Sequence, residues 1–436
     1  MGRGPDTGLG PHLSAAEQLA SSCCTRPSAP ETILTRVVLF TGKGGVGKTS
    51  IAAATAVEAA RRGARVLVTS TDAAHSLADA FATPLADRPT PVEVAGAVLH
   101  AQQLDAQARL ERHWGRVRDY LTTLLHWGGV GDVAAEELVL LPGLDELFAL
   151  IDLRTQVATG DYDLVVVDCA PTAETLKLLT LPDALRFYSD RVLAPGRALA
   201  RAVAPLTRYR GAAGAGLPVP DDEVVDAVSE VHGELAHVHA LLTDTERSSV
   251  RLVVNPERIV LAEAERTATS LSLFGYGVDA VIVNRILPDH LDHPYLDRWR
   301  QRHAEHLSAA RTAFAPTPVL EVPLLEDEVI GAPALAELGR LVYADRHPMA
   351  VLHPHRPMTI VEDGPETLLV LALPFAVEDD LALSRRGAEL QVTVGSLRRN
   401  VPLPAALRRR EVVGARLEQG ALQVRFAAAV VPAVSS

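Results

Sequence analysis

From residue 36 onward the chain alternates short apolar runs with longer stretches of helical periodicity. The runs at 37–40, 65–69, 164–167, 252–254, 281–283 and 319–322 lack strict in–out alternation, which suits strands covered on both faces of a parallel sheet. Helical stretches between them, such as 50–62 and 262–274, complete an α/β layered pattern over 35–347. A stripe through Val224, Val228, Val231, Leu235, Val238 and Leu242 repeats in steps of four and three. Another runs through Leu110, Trp114, Val117, Leu121 and Leu124, and 193–206 is a further apolar stretch. These place a helical insertion at about 104–147 and 190–247. Beyond Tyr343 the texture changes: 347–357 holds three prolines and three histidines, and 348–357 reads as a linker. Then Leu390, Val392 and Val394 alternate with Gln391 and Thr393, and Leu422, Val424 and Phe426 with Gln423 and Arg425. Period-two alternation predicts half-buried antiparallel strands, hence a small all-β domain over 358–428 and a tail at 429–436. At the other end, 1–34 is rich in Gly, Pro and Ser without periodicity and reads as a disordered lead-in.

A length of 436 residues fits two domains better than one core. The formal charge of −12 argues against nucleic acid as a partner, because duplex affinity comes mostly from cations on phosphates. The three cysteines cannot make a disulfide framework, no run is long enough for a membrane span, and the N-terminus lacks the apolar core of a signal peptide. The expectation is a soluble, cytoplasmic protein. Lysine occurs only at Lys43, Lys48 and Lys177, with arginine everywhere else. A lysine kept in such a chain marks a place that needs a compact point charge rather than a planar fork.

Two of these lysines share one loop. The apolar run at 37–40 leads into Thr41-Gly42-Lys43-Gly44-Gly45-Val46-Gly47-Lys48-Thr49-Ser50 and then an Ala-rich helix. This fits G-x-x-x-x-G-K-[ST] in the strand–loop–helix setting that the motif requires, so the fold expected is a P-loop NTPase. Gly42, Gly44, Gly45, Val46, Gly47 and Ser50 would supply backbone amides and helix-terminal charge to a triphosphate. Lys48 would bridge the β and γ oxygens of ATP, and the Thr49 hydroxyl would ligate Mg²⁺. Asp168 ends the apolar run 164–167 at the carboxyl edge of the sheet, where it can hold the Mg²⁺ shell, through water.

Lys43 is not needed by an ordinary phosphate cradle. Here the sequence resembles the deviant P-loop ATPases, and within them the arsenite-pump/tail-anchored-protein-targeting branch. Gly42–Thr49, Ser70-Thr-Asp-Ala-Ala-His-Ser-Leu77, Asp168-Cys-Ala-Pro-Thr-Ala-Glu-Thr-Leu-Lys177, Asn255-Pro-Glu257, Val283-Asn284 and Val322-Pro-Leu-Leu325 carry the resemblance. It implies that Lys43 reaches across a homodimer to the partner's nucleotide and that Asp72 orients or deprotonates the attacking water. It also implies that Glu257, Asn284 and Pro323 belong to the nucleotide site, Asn284 at the adenine. Two positions depart from the family pattern: Ala73 replaces a proline and Ala173 a glycine. Alanine does not share glycine's access to positive φ, which leaves room for slower or differently gated hydrolysis.

The resemblance also implies a hydrophobic polypeptide client, with a membrane receptor as a further partner, and the apolar helical stripes could line its groove or simply pack on the sheet. An arsenite-pump subunit is the alternative, but Cys169 is the lone cysteine of the domain, so no metalloid site is expected. No zinc site is expected either, because Arg-Ile-Leu-Pro-Asp-His follows Asn284 where the targeting factor has C-x-x-C. The stretches 369–375, 388–395, 398–404 and 414–426 resemble the small-heat-shock-protein (α-crystallin-like) module, which adds a third reading, a nucleotide-gated holdase.

Overall fold

The computed structural model describes residues 34–71, 76–94, 96–104, 144–169, 222–290 and 293–427, with backbone alone for 144–149, 222–229 and 231–232. Its first half contains β1 (Arg36–Thr41), α1 (Lys48–Arg61), β2 (Val66–Ser70), α2 (Ser76–Phe81), β3 (Thr90–Val94), β4 (Ala97–Gln103), α3 (Leu144–Thr159) and β5 (Leu164–Asp168). Then come α4 (Asp222–Thr243), β6 (Ser248–Val254), α5 (Arg258–Leu273), β7 (Val278–Ile286), α6 (Pro294–Phe314), β8 (Val319–Pro323) and α7 (Gly331–Tyr343). The sheet order is β3-β4-β2-β5-β1-β6-β7-β8, parallel except for β3 against β4. Central β1 and β5 are buried at every residue, as unbroken Val/Leu runs demand. Their ends converge, with Phe40 and Ser70 both in register with Asp168.

Helix α1 is buried on nearly all sides because it lies between the sheet and α7. Gly339 permits that approach: a Cβ there would come within 2.6 Å of the Ala54 carbonyl oxygen.

Three differences from the sequence expectation have physical causes. β6 begins at Ser248, four residues before the apolar run, since Ser248, Ser249 and Arg251 are buried through hydrogen bonds rather than apolarity. α5 starts at Arg258, directly after the Asn255–Glu257 turn. The hairpin β3–β4 carries Pro91 on an edge strand, where a missing N–H costs nothing, and hydropathy alone does not reveal it.

A charged network is sealed under the sheet. Arg251, 0 % exposed, donates to Asp279 Oδ1 (3.1 Å), to Tyr343 Oη (2.8 Å) and to the Ala350 carbonyl (3.0 Å). Arg36 donates to Asp279 Oδ2 (3.3 Å), Ser249 Oγ (2.6 Å) and the Met349 carbonyl (3.3 Å). Burial pushes the Arg36 guanidinium down to about 10, Asp279 offsetting part of that, so it stays charged at neutral pH. Tyr343 Oη also meets Thr55 Oγ1 of α1 at 2.7 Å, and the Leu352 amide donates to Asp279 Oδ2 at 3.3 Å. Residues 348–357 have no helix or strand, yet the network fixes them to the core of the eight-stranded sheet.

The C-terminal part comprises β9 (Met358–Asp363), β10 (Glu366–Ala372), β11 (Leu381–Arg386), β12 (Glu389–Val394), β13 (Leu397–Pro402), α8 (Ala405–Arg408), β14 (Val412–Glu418) and β15 (Ala421–Phe426). It forms two antiparallel sheets, β14-β15-β10-β9 and β11-β12-β13, over buried Leu369, Leu371, Leu390, Val392, Leu422, Val424 and Phe426. The all-β expectation holds. This part rests on the far end of α5. Ser272 donates to the Ala372 carbonyl (2.6 Å) and meets His355 Nε2 (3.1 Å), Thr269 donates to the Pro374 carbonyl, and the Phe314 and Phe375 rings lie 5.1 Å apart.

Of the amphipathic stripe in α4, Leu235, Val238 and Leu242 are buried in the core. The side chains of Val224, Val228 and Val231, and residues 105–143 and 170–221, lie outside the described residues. No described helix is long and apolar enough to cross a membrane.

Candidate nucleotide site

Helix α1 starts at Lys48 itself, with Gly47 as N-cap at φ 92°, so the loop delivers its last amides and its second lysine together. Lys48 is buried, and its Nζ donates to the Lys43 carbonyl at 3.4 Å. The loop closes over the sheet at Gly42, where a Cβ would stand 2.1 Å from the Val253 carbonyl oxygen. At Gly44 and Gly45 a Cβ would meet nothing, which leaves the loop open to a ligand on that side.

At the second residue of α1, Thr49 Oγ1 donates to Asp168 Oδ2 at 2.8 Å, and Ser70 Oγ donates to the same oxygen at 3.2 Å. Ser76 Oγ is 3.1 Å from Thr49 Oγ1. A fully buried carboxylate beside two hydroxyls is a hard-oxygen set, the kind that suits Mg²⁺. The residues present therefore fit both a triphosphate and its metal. Neither Ser70 nor Ser76 stood out as a site residue in the sequence. Both lie in the 70–77 stretch, and only the β2–β5 register shows Ser70 facing Asp168.

A cavity of about 480 Å³ opens beside the loop, lined by Gly47, Ser50, Asn284, Arg285 and Pro323, with 324–330 as its outer wall. The structure thus gathers Asn284 and Pro323 at the P-loop. Asn284 is largely buried, and its Nδ2 donates to the Val46 carbonyl at 2.9 Å. Glu257 stands exposed at the N-cap of α5, outside that lining. Lys43 is half-buried beside Val260, Glu263 and Thr267 of α5. Asp72, Ala73, Ala173 and Lys177 lie outside the described residues. Burial, reinforced by Asp168, raises the Cys169 thiol far above its ordinary value.

Residues 35–344 match the model of the anion-transporting ATPase family. The chain belongs to that family. Residues 365–426 match a second model, the HSP20-like domain found in ArsA. A relative from Aquifex aeolicus named "Putative arsenical pump-driving ATPase 1" is 32 % identical over 392 residues, covering 88 % of this chain and 98 % of its own length. A Chlorobaculum tepidum protein of similar name is 35 % identical over 373 residues, covering 85 % and 91 %. The ATPase ASNA1 homolog of Trypanosoma cruzi is 28 % identical over 336 residues, covering 70 % and 91 %. This anion-transporting ATPase family member is an ATP hydrolase.

In this ATPase, Gly47→Ala should be severe. A Cβ there would lie 2.5 Å from Asn284 Nδ2, on a residue at φ 92°. ATP affinity by calorimetry should fall at least about tenfold, with the fold retained by circular dichroism.

Proposed function

We propose that the protein is a homodimeric, Mg²⁺-dependent ATPase whose nucleotide cycle drives capture of hydrophobic polypeptides. The observation that carries the dimer is Lys43. In a chain nearly without lysine, this one lies in the phosphate loop, and no described carboxylate pairs with it. The resemblance gives its role: an ammonium supplied to the nucleotide of the facing copy. Thr49 and Asp168 would hold Mg²⁺, whose chemistry there would be to neutralise negative charge on the phosphates. Lys48 holds the same phosphates from within the chain, and Asp72 would orient or deprotonate the attacking water. A cation added in trans to a phosphoryl transfer is worth about 10³–10⁵ in rate.

Lys43→Ala should therefore lose about 10³-fold in kcat while still binding ATP. Mixing it with Lys48→Ala should restore part of the activity, since a heterodimer holds one intact site. Full turnover by Lys43→Ala alone, or no recovery on mixing, would sink the trans role. Capture of hydrophobic polypeptides is supported by the tail-anchored-targeting resemblance and by the HSP20-like domain. The check is ATP-dependent retention of a membrane-helix peptide in solution.

The names of the A. aeolicus and C. tepidum relatives favour a second reading, a pump-driving subunit for arsenicals. Stimulation of ATP turnover by arsenite or antimonite would select it. Buried Cys169, the one cysteine among the described residues, supports the expectation of none, since a metalloid site needs several closely placed thiols.

A further inference from the structure

Adjacent residues on a strand point to opposite faces. At the end of β7 that rule is broken. Val283 pairs with Glu321 and Ile286 with Pro323, so three steps on β7 face two on β8, and the extra residue makes a bulge at Asn284–Arg285. Arg285 takes φ 60°, a left-handed conformation that is strained for a non-glycine residue. Asn284 Oδ1 accepts the Arg285 amide at 2.9 Å and so holds the kink. As a result both side chains turn to the same loop: Asn284 Nδ2 donates to the Val46 carbonyl at 2.9 Å, and Arg285 Nη1 donates to the Gly45 carbonyl at 3.0 Å.

We infer that Arg285 is a positioning residue for nucleotide binding, which acts by clasping the phosphate loop at Gly45. A peptide whose carbonyl is held outward by a guanidinium keeps the following amide turned the other way, toward the phosphates. Tethering two successive carbonyls fixes two successive peptide planes of the loop before ATP arrives. Glycine at 44, 45 and 47 makes this loop costly to order, so a clasp on it lowers the entropy lost on binding. Arg285 is also the one cation among the described residues lining the cavity, opposite Glu326, Asp327 and Glu328. Holding the guanidinium on a loop carbonyl at the P-loop edge keeps that charge near the phosphates. The clasp concerns a single chain, so it stands or falls independently of trans catalysis by Lys43.

The test compares Arg285→Ala and Arg285→Lys with wild type in binding of MgATP and of inorganic tripolyphosphate, in steady-state turnover and in melting temperature without nucleotide. Arg285→Ala is expected to raise both Kd and KM for ATP about tenfold, with kcat within about twofold, since the loop holds ground and transition states alike. Tripolyphosphate, which has no base, should lose affinity by the same factor. Melting without nucleotide should be unchanged, and Arg285→Lys should recover most of the affinity, because an ammonium can still donate to the Gly45 carbonyl. Unaltered ATP affinity in Arg285→Ala overturns the proposal. So does a loss seen for ATP but not tripolyphosphate, which would mean direct contact with the base, or a loss matched by a lower melting temperature without nucleotide, which would mean a structural role only.

Discussion

Replacing Lys48 by alanine should reduce kcat/KM for ATP hydrolysis by about 10³-fold or more, the largest effect of any single change at the site. Lys48 is both the first residue of α1 and a buried side chain, 7 % exposed. It would therefore meet phosphates with a desolvated charge that water does not screen, on top of the partial charge of the helix end. Lys48→Arg should fare little better. A guanidinium is a wide planar fork where Nζ is a compact point charge that reaches the Lys43 carbonyl, and this arginine-rich chain keeps lysine here. Steady-state turnover with circular dichroism as a control checks both variants. An arginine variant retaining more than about a tenth of wild-type activity would show that charge alone, not shape, is what the loop requires.

The second large effect concerns stability. Asp279→Ala should cost about 3–5 kcal/mol, because it leaves two interior guanidiniums, Arg36 and Arg251, without their shared carboxylate. The melting temperature should drop by roughly 5–10 °C in differential scanning calorimetry. Glu321→Ala, which removes the partner of exposed Arg311, is the control and should leave it nearly unmoved. A small shift in Asp279→Ala would mean that the Tyr343 hydroxyl and the Met349 and Ala350 carbonyls suffice to solvate both cations.

How much of this was legible beforehand depended on how local each signal is. The phosphate loop was readable because its chemistry is written in consecutive residues, glycines and lysines at fixed offsets after an apolar strand. Asp168 was readable for the same reason, as a carboxylate ending a valine run. Serine 70 was not, since its value comes from a register pairing with a strand nearly a hundred residues away. The kink at Asn284–Arg285 was equally silent: spacing along β7 looks regular, and only the pairing with β8 reveals the extra residue. The head of β6 was hidden by Ser248, Ser249 and Arg251, polar residues that a hydropathy pattern assigns to the surface and that hydrogen bonding takes inside. The all-β part read well because alternation is itself a local property. That Ser272 and Thr269 would seat it on α5 was not readable at all, for hydroxyls on a helix face look like solvent contacts until their acceptors are known.

The same helix that seats the β sheets begins at Arg258 and runs past Lys43, so α5 touches the phosphate loop at one end and the C-terminal module at the other. The place where the two textures of the sequence meet is consequently not a seam at which the molecule can be severed. A chain ended after Tyr343 would strip Arg251 and Arg36 of the oxygens at Ala350 and Met349, and leave bare the helix face that carries Thr269 and Ser272. The two halves are tied through one rigid rod, so any displacement of α5 would carry the β module with it as a lever carries its handle.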